Sequence, residues 1–145
     1  MAFLVWEPSF SVGIWEIDRQ HRLLIGLINQ LHEAVLGADP EKNPQAIFSA
    51  MVECLRNHFR FEEAYLERLG YKDIGVELAS HRELLDQLAH MRQLFDAGPL
   101  TVSPEPVNFL KEWVTTHILQ CNQGYAQLAA LRNPGLLITA AANEF

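Results

Sequence analysis

Long apolar runs, basic clusters, low-complexity segments and repeats are all missing from this 145-residue chain. No apolar stretch approaches the roughly 20 residues of a membrane-spanning helix, so no membrane span is expected. Residues 1–8 lack both the basic region and the long apolar core of a secretory signal. The net charge of −7 is spread over interspersed acids and bases, which leaves no basic block to attract nucleic acid or an anionic membrane. Cysteine is scarce: Cys54 and Cys121 lie far apart in apolar helical patterns and read as buried free thiols, which suits a reducing cytosol. A cytoplasmic location is therefore expected. No stretch carries convincing strand alternation, so the fold class is all-α.

The chain does have helical periodicity. Residues 1–17, broken by Pro8 and Gly13, read as an extended arm with Trp6, Phe10 and Trp15 as packing anchors. A first helix is predicted from Asp18, as N-cap, to about Gly37, with Leu24, Leu27, Ile28, Leu31 and Val35 inward. A turn through Pro40 follows. Asn43-Pro44 reads as N-cap plus first helical residue of a second helix closed by Gly70. A third runs from about Val76 to Phe95 and stops at Gly98-Pro99. Ser103-Pro104-Glu105 opens a fourth, which carries Leu110, Trp113, Val114 and Leu128. Short connections between four such helices predict an up-down-up-down antiparallel four-helix bundle. Residues 1–133 form one domain in this reading, and 134–145 a tail.

The inward stripes are not wholly apolar. In helix two, Ile47, Met51, Cys54, Leu55, His58, Glu62, Tyr65, Leu66 and Leu69 step by three and four. Residues four apart lie about 40° apart around the axis, so His58 and Glu62 share that apolar face. A glutamate there must be paired, protonated or bound to a metal. His21, His81 and His117 fall on the corresponding stripes of the other helices, and Glu77 precedes His81 by one turn. One inward histidine is ordinary core. Four of them with two carboxylates in step would leave many hydrogen-bond sites and charges uncompensated without a cation. A dinuclear metal site is the economical reading, and imidazole with carboxylate favours iron or manganese over structural zinc. His32 lies roughly 16 Å along the helix from His21 and cannot reach the same ion; His90 reads as a partly exposed helix residue.

These pieces together resemble a known family. Val5-Trp6 and Val12-Gly13-Ile14 in the arm, Ile17-Asp18-Arg19-Gln20-His21, His58-Phe59-Arg60-Phe61-Glu62-Glu63 with Gly70-Tyr71, and Trp113-Val114-Thr115-Thr116-His117-Ile118 are similar to bacterial hemerythrins. The resemblance covers about Val5 to Tyr125. It implies two non-haem iron ions with an oxo or hydroxo bridge. By position, His21 and His58 would hold one iron and leave an open coordination site. The residues at 77, 81 and 117 would hold the other, with Glu62 and Asn122 as bridging positions. Two residues depart from the pattern: Glu77 stands where the family has histidine, and Asn122 where it has aspartate. A neutral amide offers one carbonyl oxygen and is a poor bridge between cations. Glu77 restores the carboxylate count that Asn122 lowers; the other reading is a site that has lost one ion. Cys121, four residues after His117, reads as small core packing, while Asn122 lies about 140° round from His117. Tyr65 and Trp113 could wall a ligand pocket or be ordinary core.

The resemblance implies reversible binding of O2 or another diatomic ligand, for storage, delivery or sensing. The alternative is a di-iron redox enzyme (an oxidase or peroxidase, or a protein handling nitric oxide or iron) enabled by Glu77 and Asn122. A third reading is an apo or single-metal bundle serving as an interaction module. No protein partner can be named.

Overall fold

The computed structural model describes residues 2–37, 41–97 and 105–132, and among them finds four helices and no strand. They are α1, Trp15–Val35; α2, Pro44–Arg68; α3, Ile74–Asp96; and α4, Glu105–Arg132. A 3-10 turn, Pro8–Phe10, interrupts the arm. The expected up-down-up-down bundle is the observed architecture. None of the described helices is long and apolar enough to cross a membrane. The turn at Pro40, the stop at Gly98-Pro99, the Ser103-Pro104 start and the tail 134–145 lie outside the described residues.

The chemistry expected at the ends of α2 is present. The Asn43 side chain accepts a hydrogen bond from the Ala46 amide at 3.2 Å, with Pro44 at the first helical position. Gly70 takes φ 68° and lets Tyr71 N–H reach the Leu66 carbonyl at 3.0 Å, closing the last turn. The start of α3 falls slightly earlier than the apolar pattern suggested, at Ile74.

The start of α1 differs in a more informative way. Ile14 caps the helix, and Asp18 lies inside it, fully buried. Its carboxylate accepts from the Val12 amide at 2.8 Å and from the Ser11 hydroxyl at 2.6 Å. The aspartate that looked like a helix cap thus satisfies the backbone of the incoming arm. Further back, Asn29 clamps Leu4 with two hydrogen bonds of 2.8 Å, its Oδ1 accepting from the Leu4 amide and its side-chain NH2 donating to the Leu4 carbonyl. The helix start also settles the aromatics. Phe10 is buried and meets Trp6 edge-on, with ring centroids 5.8 Å apart, while the Arg22 guanidinium lies over Trp6. Trp15 is 43% exposed and belongs to neither apolar cluster, because it sits about 200° round the helix from buried Ile17.

Inside the bundle the apolar side chains form two clusters. The larger holds Leu24, Ile28, Leu31, Met51, Leu55, Leu84, Leu88, Leu110 and Val114. The smaller, at the arm end, holds Val12, Ile14, Ile17, Leu66, Cys121 and Tyr125. Along α1 His21 lies between the two clusters, and along α2 Glu62 does; His58 and His117 sit within the edge of the larger cluster, beside Phe59 and Ile118. The polar layer thus has packed hydrocarbon on both sides along the bundle axis.

Asp18→Ala removes the acceptor of a buried amide and a hydroxyl, and should cost about 2–3 kcal/mol. Urea unfolding should show a lowered midpoint, and limited proteolysis should cut the arm faster. An unchanged midpoint would mean that the arm is held by its apolar contacts alone.

Candidate metal centre

The four inward histidines and Glu62 do meet. His21 Nε2 lies 3.2 Å from His58 Nε2, which lies 3.3 Å from His117 Nε2. Glu62 Oε2 is 3.0 Å from His58 Nε2 and 3.3 Å from His117 Nε2, and Glu62 Oε1 is 3.0 Å from His81 Nε2. Glu77 Oε2 stands 3.8 Å from His81 Nε2. Two donor groups result: His21, His58, Glu62 and His117, all buried; and Glu62, Glu77 and His81, of which Glu77 is partly exposed. Glu62 belongs to both and turns one oxygen towards each.

The family resemblance places His117 with residues 77 and 81. Here its Nε2 falls with His21 and His58, although its ring is 5.6 Å from both His21 and His81 by centroid. The backbone of Asn122 runs in α4, but its side chain lies outside the described residues. His32 stacks on Phe3 at 3.9 Å, and His90 is exposed, so neither joins the layer.

Hydrogen bonds behind the rings fix which nitrogens face inward. The Gln20 side-chain NH2 donates to Glu16 Oε1 at 3.1 Å, which sets the orientation of the amide. Its oxygen then accepts the Nδ1 proton of His58 at 2.7 Å. Glu63 Oε2 accepts the Nδ1 proton of His81, also at 2.7 Å. In the neutral rings Nε2 therefore carries a lone pair aimed into the core, as in metal sites whose histidines are oriented from behind. Phe59 stacks on His81 at 3.9 Å and 6°, and Trp113 on His117 at 4.8 Å and 13°, holding both ring planes. His58 Nε2 has three neighbours within hydrogen-bond distance and one lone pair or proton to offer them, so protons alone cannot satisfy the cluster. A cation can. With metal–donor bonds of about 2.05 Å, neighbouring donors stand about 2.9 Å apart in an octahedron and about 3.35 Å apart in a tetrahedron. The observed separations of 3.0–3.3 Å fall in that interval.

The electrostatics agree. Burial holds the His21 imidazole well below the usual histidine range, helped by His58 and His117. Burial also lowers His58, against the pull of Glu62. For Glu62 burial acts upward, but the charge of His117 and the close approach of the His117, His58 and His81 imidazoles to its oxygens outweigh it and keep it well below the usual carboxylate value. His81 is raised, because its hydrogen bonds to Glu62 and Glu63 outweigh a burial effect that acts downward.

Sequence reasoning had not assigned roles to Gln20, Glu63 or Phe59. Glu63 follows Glu62 but points about 100° away round α2, and only the placement of α3 shows that it reaches His81. Cys121 is also at the site, its Sγ 3.7 Å from Glu62 Oε2 and 3.6 Å from His117 Nε2. Both cysteines are free; Cys54 is only partly buried. Trp113 lines a cavity of about 130 Å³ between α3 and α4 with Glu77, Ser80, His117 and Gln120 and also packs against the larger apolar cluster, so it fills both of the roles left open for it. Tyr65 instead packs edge-on against Tyr125 at 5.8 Å.

The family model for the hemerythrin HHE cation binding domain matches residues 12–129. The chain is similar to a bacteriohemerythrin of Stenotrophomonas maltophilia, 33% identical over 87% of this chain and 81% of that protein. It is 28% identical to the bacteriohemerythrin of Methylococcus capsulatus, over 86% of this chain and 95% of the relative. Among solved structures, a crystal structure of a hemerythrin leucine-to-alanine mutant superposes with a TM-score of 0.78 at 25% identity, covering 88% of this chain and 98% of that one.

The shifted groups give the metal-free protein a defined pH dependence. Below 6.5, the ordinary histidine value, the unfolded chain protonates at His21 and His58 while the folded chain resists, so stability falls as pH drops. His81 acts oppositely: its stabilisation is complete below 6.5 and is lost as pH rises through its raised value. Chelator-stripped protein should be most stable near pH 6.5. Urea midpoints should be lower at about pH 5 and at about pH 8. His81→Gln should abolish the alkaline decline. A midpoint that rises steadily across this range in the unsubstituted protein would show that His81 is not held protonated.

Proposed function

Because the chain belongs to the hemerythrin HHE cation-binding family, we propose that it holds two iron ions in its core and binds O2 reversibly there. His21, His58, Glu62 and His117 serve one ion, and Glu62, Glu77 and His81 the other, with Asn122 as a weak carbonyl donor to the second. The observation that carries this reading is the single buried carboxylate with one oxygen in each of two donor groups. Glu62 can hold two cations together while offsetting part of their charge.

When bound, a reduced iron pair supplies the two electrons that O2 takes up on binding and returns on release. The protein supplies everything around it. Gln20 and Glu63 keep the Nδ1 protons of His58 and His81 outward, so that Nε2 stays free to ligate. The clusters around Leu24 and Leu55 on one side and Ile17 and Leu66 on the other exclude water and protons, either of which would promote irreversible oxidation. A diatomic ligand needs little room, and the cavity bounded by Trp113 and Glu77 reaches the layer between α3 and α4.

A second reading, di-iron redox chemistry, is favoured by Glu77. Its side chain is 29% exposed and lines two cavities at the α3–α4 seam, so solvent protons have a path to the second group. Metal analysis with absorption spectra separates the readings. Two irons per chain, with a charge-transfer band that appears on O2 addition and vanishes on its removal, supports carriage. Immediate conversion to diferric iron with release of hydrogen peroxide defeats carriage and supports the redox reading. Less than one metal per chain after full loading leaves only an interaction module. Asn122→Asp should tighten the second ion and slow autoxidation; unchanged metal content and autoxidation would remove position 122 from the ligand set.

A further inference from the structure

Two features of the arm end of the bundle have no role above: the Cys121 thiol and the Tyr125 hydroxyl, which share a small cavity. We propose that Cys121 is a thiolate ligand of the core metal site, coordinating beside His117 and Glu62 and receiving a hydrogen bond from the Tyr125 hydroxyl. The proposal rests on the metal-binding reading.

The first argument is geometric. Cys121 follows His117 by one turn of α4, and its Sγ stands 3.6 Å from His117 Nε2 and 3.7 Å from Glu62 Oε2. These two atoms are themselves 3.3 Å apart, so the three form one closed face. A metal–sulfur bond is about 2.3 Å and a metal–nitrogen bond about 2.05 Å, which puts sulfur and nitrogen between about 3.1 Å (octahedral angles) and about 3.55 Å (tetrahedral angles) apart on one ion. The sulfur edges of the face, 3.6 and 3.7 Å, stand just beyond the wide end of that range.

The second argument is an unsatisfied donor. Tyr125 is 2% exposed, and its hydroxyl, which lies near Glu62, has no hydrogen-bond partner within 3.5 Å among the described residues. It lies one further turn along α4 and lines, with Cys121, Glu77 and Tyr71, a cavity of about 30 Å³. A buried phenol without a partner costs about 1–3 kcal/mol. A metal-bound thiolate beside it is an acceptor of the right chemistry.

Charge gives a third argument. In the group of His21, His58, His117 and Glu62 the only anion is Glu62, shared with the other group. A thiolate adds the second negative charge that offsets a divalent ion. As the sulfur–metal bond forms, the S–H bond breaks and its proton leaves to solvent. Cys54, one turn before His58 on α2, is half-buried in a groove at the α1–α2 seam lined by Arg19, Asn57 and His58, and serves as the internal control.

Cobalt(II) alone, added to the full chain, reads the proposal without O2 or turnover. The unsubstituted protein and Cys54→Ser should show visible d–d bands together with a near-ultraviolet thiolate-to-cobalt band. Cys121→Ser and Cys121→Ala should keep the d–d bands and lose the near-ultraviolet one. Tyr125→Phe should keep that band but move it, since the hydrogen bond to sulfur is gone; an unmoved band would remove Tyr125 from the proposal. Bound cobalt without the thiolate band, or a band that survives in Cys121→Ser, overturns the proposal and leaves the metal site standing. Absence of any cobalt uptake overturns both. Should the Cys121 variants fail to fold, X-ray absorption on cobalt-loaded Cys54→Ser decides: a sulfur scatterer at about 2.3 Å supports the assignment, and a shell of nitrogen and oxygen alone refutes it.

Discussion

Glu62 sits with none of its surface exposed, inside a bundle whose apolar core is mostly leucine, isoleucine, valine and phenylalanine. Removing a carboxylate from water costs several kcal/mol unless charge and hydrogen bonds replace the lost hydration. Here His58 and His117 face one oxygen and His81 the other. Those three histidines come from α2, α4 and α3, and His21 adds α1 through its contact with His58. Meeting the charge of one residue thus draws on three helices directly and on α1 through His58, and this ties the packing of the bundle to the chemistry of its core.

The arrangement extends outward in ordered steps. The inner nitrogens can face Glu62 because Gln20 and Glu63 hold the outer ones, and the rings keep their planes because Phe59 and Trp113 stack against them. Two apolar clusters then isolate the layer from both ends of the bundle. The clusters strengthen every electrostatic contact between them, since a low local dielectric raises the cost of any unpaired group. The arm completes the lower cluster with Val12 and Ile14, and buried Asp18 holds its backbone in place. Asp18 and His21 are less than one helical turn apart on α1, so arm and site are tied to the same stretch of helix.

The exposed flank of this layer is α3 to α4. There Glu77 is partly exposed, two cavities open beside it, and Trp113 and Gln120 line the way in; another cavity, at the α1–α2 seam, reaches His58. The chemistry that the centre supports depends on this side more than on the sealed ones. Solvent protons reaching Glu77 favour oxidation, and an apolar, closed seam favours reversible binding.

Helix phase is a local property. Residues three and four apart share a face whatever surrounds them, so the sequence alone determined four helices, the inward stripes of α1 to α4, and the presence of His21, His58, Glu62, Glu77, His81 and His117 on them. The Asn43 cap and the Gly70 stop were legible for the same reason: each acts on its own backbone within a turn. Distances between helices are not local. One turn of axial shift moves a side chain by about 5.4 Å, more than the whole spread of donor separations at the site. Only the tertiary structure could therefore decide that His117 groups with His21 and His58, and that Glu63 reaches across to His81. It alone could decide that Asp18 serves the arm instead of its own helix end, and that Cys121 lies against Glu62. Periodicity says which side chains enter the core; how the helices pack against one another says which of them touch.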